Sequence, residues 1–236
     1  MSAFSATAFA GTPSGNESQA SSSDTVPSDA DLAKTKCMSG EEKFLPGDYF
    51  YCLATQTYGQ GHIKESQHFF ETAAGWASKP AQYVLGIMAL NGDHQPVNRS
   101  LGLAWLTLAS ERAGSSFKQA YETTYGSATA DERKQAEVLL GTMRPVYGDA
   151  IAAPRAEKRY AEGMAHMADV STRAGLYCMA DSDNLAGADE NTPNCVSAQV
   201  MVKVIDTAAV NVFDGWTGHV HVGALEEVSH PPAHSN

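Results

Sequence analysis

No stretch of this 236-residue chain is apolar enough, for long enough, to cross a membrane. Its apolar runs are short, as at Leu103–Leu106, where a spanning helix needs roughly 18–20 consecutive apolar residues. Positive charge is scarce too: 16 Lys and Arg face 27 Asp and Glu, giving a formal net charge of −11. The basic residues are scattered, so nucleic acid and anionic membranes are unattractive partners. No Gly-rich phosphate loop, dinucleotide fingerprint or Cys/His nucleophile pair is visible. Nor is there a Cys-x-x-Cys or short Cys/His cluster of the kind that holds zinc. The expectation is a protein without cofactor or metal.

What is present begins with an uncharged N-terminus ending in Ala8-Phe9-Ala10, a small-x-small pattern that reads as the remnant of a signal peptide. The stretch from 11 to 31 is built of Gly, Ser, Thr, Pro, Asn and Asp, and residues 1–36 are expected to be signal remnant and linker. The four cysteines fall into two groups. Of the three possible connectivities, that grouping favours local bridges, Cys37–Cys52 and Cys178–Cys195; the alternative is four buried free thiols in a cytosolic protein. Bridges place the chain in the periplasm or outside the cell.

The middle of the chain is helical and punctuated. Helices are expected over about 48–58, 64–77, 80–91 and 98–114, with Pro80 in a first turn, Asn98 as an N-cap and Gly92 as a stop. Phe69-Phe70-Glu71-Thr72-Ala73-Ala74 lies over Ala104-Trp105-Leu106-Thr107-Leu108-Ala109, and Tyr58–Gly61 lies over Ala89–Gly92. A period in the thirties with two helices per unit describes an α-solenoid. A third unit is suggested by Phe117–Tyr125 and by 129–144, which opens with the capping box Thr129-Ala130-Asp131-Glu132.

The best copy contains Ala81, Leu85-Gly86, Met88, Gly92, then Leu103-Ala104-Trp105-Leu106 and Leu108-Ala109. In these residues the chain resembles the Sel1-like repeat family, relatives of the tetratricopeptide repeats, over roughly 48–144. The first copy departs at Ala54, where the family has Gly. The resemblance implies a helix-turn-helix solenoid that binds proteins or peptides, often in bacterial envelope or signalling complexes; it does not itself imply an activity. With the first helix of each unit lining the concave face, Tyr51, Gln56, Gln82, Tyr83 and Asn91 become the candidate partner-binding residues. Phe70, Leu85 and Trp105 become core.

The repeat domain is expected to span 37–170 and to end in a helix over 154–170 carrying Ala156, Tyr160, Met164 and Met167 on one face. Beyond Gly175, the alternation of Val200, Val202 and Val204, with Asp214-Gly215 before Trp216–Val222, predicts short strands and a hairpin. Segment 171–236, with its disulfide loop, would then cap the solenoid. Three groups imitate a penicillin-recognising hydrolase: Ser115-x-x-Lys118, Ser182-Asp183-Asn184 and Trp216-Thr217-Gly218, the last without the cation that motif requires. Asp181, Asp183, Asp189 and Glu190 read as a solvated acidic loop, because Leu185 and Ala186 break the calcium-loop pattern. His219 and His221 would share a strand face without a third metal ligand. Glu65, His68 and Glu71 read as a solvated helix face. The leading expectation is a non-catalytic scaffold for a protein or peptide in the cell envelope. The alternatives are an envelope hydrolase acting on β-lactam or cell-wall substrates through Ser115 and Lys118, and an immunity or chaperone-like protein for a secreted effector.

Overall fold

The computed structural model describes residues 27–173, 175–180 and 194–218. The described residues are mainly helical, with a small two-stranded antiparallel sheet. A single turn, α1 (Asp29–Leu32), precedes a 3-10 turn at Glu41–Lys43. Then come α2 (Pro46–Gly59), α3 (Ile63–Gly75), α4 (Lys79–Asn91), α5 (Arg99–Ala109), α6 (Lys118–Ser127) and α7 (Ala130–Tyr147). The chain continues through α8 (Asp149–Thr172), β1 (Leu176–Cys178), β2 (Cys195–Ser197) and α9 (Ala198–Val212).

Local chemistry sets these boundaries. Ser78 Oγ accepts from the Ala81 N–H, Asn98 Oδ1 accepts from Leu101 N–H at 3.0 Å, and Thr129 and Glu132 close a reciprocal capping box. Gly92 ends α4 with φ +69°, where a Cβ would also meet Val97 at 2.7 Å. Consecutive helices pack on one another: α2 on α3, α3 on α4, α4 on α5, and α5 on both α6 and α7. Phe70, Leu85, Met88, Leu103, Trp105, Leu108, Leu140 and Met143 fill one core between them. The Gly of the Leu85-Gly86 motif has a physical reason here. A Cβ on Gly86 would stand 3.0 Å from the Leu106 side chain, and one on Gly102 only 2.9 Å from the Gly86 carbonyl, so the glycine pair lets α4 and α5 meet backbone to backbone.

A second core joins Phe44 and Leu45 to Tyr160 and Met167 of α8, Met179, Val196, and Met201, Ile205 and Phe213 of the C-terminal region. Both disulfides form in the expected pairing, Cys37–Cys52 and Cys178–Cys195. The second joins the two strands at a facing Cys178/Cys195 pair.

Several expectations are corrected. Val200, Val202 and Val204 are in a helix, not strands: Ser197 caps α9, and Met201, Ile205, Ala209 and Phe213 recur every four residues on its buried face. That spacing outweighs the period-two valines, all of which are only half-buried. Asp214-Gly215 forms the turn after α9, and 216–218 is not a strand. The actual sheet is formed by the segments at the disulfide. Pro154 sits inside α8, which starts at Asp149, and not in its first turn. Residues 29–32, expected to be linker, form α1 through a Ser28/Asp31 capping box. The signal-peptide reading, the Ser182-Asp183-Asn184 motif, the acidic loop (Asp181, Asp183, Asp189, Glu190) and the His219/His221 pair all lie outside the described residues.

Candidate functional site

Three features of the surface and its margins combine polar chemistry with shape. The first is a cavity of about 330 Å³ where the N-termini of α2 and α4, the α5–α6 loop and the end of α9 converge. Two of its lining residues, Lys79 and Arg112, are cations already paired with carboxylates behind the lining. The buried Lys79 donates to Leu108 O at 2.7 Å and Gln82 Oε1 at 3.1 Å, and pairs with Asp149 Oδ1 at 3.0 Å and Glu111 Oε2 at 3.2 Å. Arg112 donates from Nε to Asp149 Oδ2 at 3.0 Å, and to the carbonyls of Val212, Asp214 and Ala77. Val212 is the last residue of α9, so the guanidinium sits at the negative end of that helix. Two cations and two carboxylates, formally neutral together, thus fasten α4, α8 and α9 to one another.

Ser115 also lines this cavity. Its hydroxyl donates to Ala109 O and accepts from Phe117 N–H, both at 3.2 Å, while the Lys118 ammonium leans towards Glu122 at 3.9 Å and is 67% exposed. The two residues share a backbone hydrogen bond, Lys118 N–H to Ser115 O. Their side chains are engaged elsewhere. Trp216 packs against Phe213 and against Ala77, Ala152 and Ala153.

The second feature is a carboxyl pair at the cavity's margin. Glu41, in the 3-10 turn, hydrogen-bonds Asp48 in the first turn of α2, and burial first, then the Asp48 and Glu42 charges, push Glu41 up to about 8. Burial raises Asp48 as well. A carboxyl with a raised pKa in the folded state stabilises fully below its unfolded value near 4.5, and loses that contribution as pH climbs towards 8. Wild-type stability, read from urea midpoints, is expected to fall across this window by on the order of 3 kcal/mol. Glu41→Gln should flatten most of that slope and make the protein the more stable one at about pH 8.5. An unchanged slope in Glu41→Gln would show that other groups cause it.

The third feature is aromatic. Between α2 and α4 runs a groove of about 250 Å³ whose walls include Tyr51, Tyr58, Tyr83, Ile87 and Met88, with Leu32 of α1 at one end and Asp93 on the rim. Leu32 reaches this position because α1 lies directly on Gly59: a Cβ there would be 2.3 Å from Ala33 N and 2.5 Å from Asp29 O. Tyr58 donates its hydroxyl to Asp93 Oδ2 at 2.8 Å, and is pushed up to about 12 by burial, that hydrogen bond, and the charges of Asp93 and Asp29. Tyr83 stacks on Phe117 (centroids 4.9 Å apart, planes 26°), and Tyr121 and Tyr125 follow one and two turns along α6. The last two line a smaller depression with Leu103, Thr107 and Arg133. The aromatic row therefore passes from α2 through α4 to α6.

Of the five residues expected to meet a partner, the structure brings Tyr51 and Tyr83 together in the groove. Gln82 is corrected: it is fully buried, donating to Ala74 O at 3.3 Å and Tyr147 O at 2.9 Å, because the face of α4 it occupies packs inward. Gln56 donates to Thr35 O at 2.6 Å and tethers the N-terminal segment to α2. Asn91 is exposed at the end of α4, apart from the groove walls. Glu65, His68 and Glu71 are all exposed on α3. Sequence reasoning placed Phe117–Tyr125 in a third unit but did not count Phe117, Tyr121 and Tyr125 among the partner-facing residues, although their four-residue spacing was the available signal. It also missed the Lys79–Glu111–Arg112–Asp149 cluster, whose members are up to 70 positions apart. Among the described residues, no group of three or more His, Cys, Asp or Glu could hold a metal ion, and no helix is long and apolar enough to cross a membrane. Comparison with protein-family models, curated proteins and solved structures gives no match.

Proposed function

We propose that this protein is a non-catalytic helical-repeat scaffold that holds a protein or peptide partner against the aromatic row of α2, α4 and α6. The row carries the reading. Half-buried tyrosines combine contact area, a hydroxyl and little rotamer entropy, the properties enriched at binding hot spots. They come from the first helix of each of three consecutive hairpins, the position that faces inward in a Sel1-like solenoid. The motif Leu85-Gly86 supports that assignment, because its glycine makes a close helix contact. Two disulfides fit an oxidising compartment, and we place the protein in the periplasm or outside the cell.

The test is site-specific photo-crosslinking in the native cell. A crosslinker replacing Tyr83 or Tyr121 is expected to trap a discrete partner, whereas one replacing Val138, which is 69% exposed on α7 outside the row, should not. Equal trapping at all three positions, or none, would remove the aromatic row as the binding face. Fluorescent penicillin is expected to leave the protein unlabelled. Labelling abolished by Ser115→Ala would replace the scaffold reading with a hydrolase.

A further inference from the structure

The groove between α2 and α4 has a composition that selects one kind of side chain. Tyr51, Tyr58 and Tyr83 contribute rings to its walls, Ile87 and Met88 contribute apolar surface, and the Asp93 carboxylate stands on its rim. Asp93 already accepts from Tyr58, yet a carboxylate has about four lone-pair sites and keeps capacity for a further donor. His94, with Nε2 3.5 Å from Asp93 Oδ1, lies edge-on to Tyr58. Among the described residues that line the groove, none is Lys or Arg.

The depression beside α6 already holds a cation over a tyrosine ring. There Arg133 lies over the Tyr125 ring, 4.3 Å from its centroid, supplied by the protein itself. We infer that the α2–α4 groove receives a cationic side chain, an arginine or lysine, projecting from the protein or peptide partner. This rests on the partner-binding reading above and adds the chemistry of the anchor. The guanidinium or ammonium meets tyrosine faces and Asp93, while the methylene stem lies along Ile87 and Met88. The chain's net charge of −11 steers such a partner towards it and repels an acidic one.

Two pentapeptides separate the possibilities: acetyl-Gly-Leu-Arg-Leu-Gly-amide and the same peptide with neutral, near-isosteric citrulline at the centre. Binding is followed by NMR of the Val84, Ile87 and Met88 methyl groups in the full, oxidised chain. The arginine peptide is expected to shift these methyls saturably, with the citrulline peptide about tenfold weaker. Asp93→Asn should bring the arginine peptide close to the citrulline value and leave citrulline binding unchanged. Tyr83→Leu, which keeps bulk and removes a ring face, provides a second variant with the same expected direction. Equal affinity of both peptides at these methyls would overturn the cationic anchor and leave the groove as an apolar peptide site. Shifts confined to other methyls would reduce the effect to general attraction by an acidic surface, and overturn it too. If neither peptide moves any methyl, both the anchor and the groove's part in partner binding fail.

Discussion

Asp149→Ala is expected to destabilise the protein by about 3–5 kcal/mol, the usual consequence of removing one partner from a buried ion pair. Asp149 is the residue that both cations share, with Lys79 on Oδ1 and Arg112 on Oδ2, each at 3.0 Å. The side chains of Lys79 and Arg112 are each only 6% exposed. Without Asp149, two buried positive charges have Glu111 as their remaining carboxylate, and water cannot readily take its place. Urea unfolding at pH 7 measures the loss. A melting temperature lower by roughly 10 °C should accompany it for a fold of this size. Because Arg112 holds the end of α9, the variant should also lose protease resistance first at α9. A loss below about 1 kcal/mol would show that the cluster is effectively solvated and that the apolar core alone fastens α9.

Trp105→Ala is the second large effect, expected at about 3–5 kcal/mol. Trp105 is 6% exposed and packs edge-on against Tyr147 at 4.7 Å, which ties α5 to α7. Its removal opens a cavity that rigid helices on either side cannot close. Tyr83→Ala offers the contrast, because Tyr83 is half-buried and its principal ring partner is Phe117. That change should cost about 1 kcal/mol. The two variants together test the division between core and binding face. Equal losses would place Tyr83 in the core and withdraw it from recognition.

The hairpins of the middle region were legible because their signals are local. Asn98, Thr129, Gly92 and Pro80 act within one helical turn, and each marks a boundary within a few residues of where it was expected. The cysteine pairing was legible for the same reason, with both bridges closing short loops. Valine alternation misled at 200–204 because period two and period four overlap over five residues, and only Ile205, Ala209 and Phe213 separate them. Gln82 misled because its polarity suggested a surface position, while its amide supplies the donors that Ala74 and Tyr147 carbonyls need in the interior. The charge cluster joins positions 79, 111, 112 and 149 to carbonyls at 212 and 214, and nothing local in the sequence announces such a meeting.

That same wiring sets an order of assembly. Contacts among α2 to α5 link neighbours in the chain, whereas the bonds from Arg112 to Val212 and Asp214 span 100 and 102 positions. Short loops close before long ones, so the hairpins are expected to condense while α9 is still unplaced. Until α9 arrives, Arg112 lacks two of its carbonyl acceptors and the apolar face of Met201 and Ile205 has no cover. A chain interrupted before Ala198 lacks α9 altogether: it is expected to keep its hairpins without the latch, and to display to chaperones and proteases the Tyr160 and Met167 surface that the finished molecule hides.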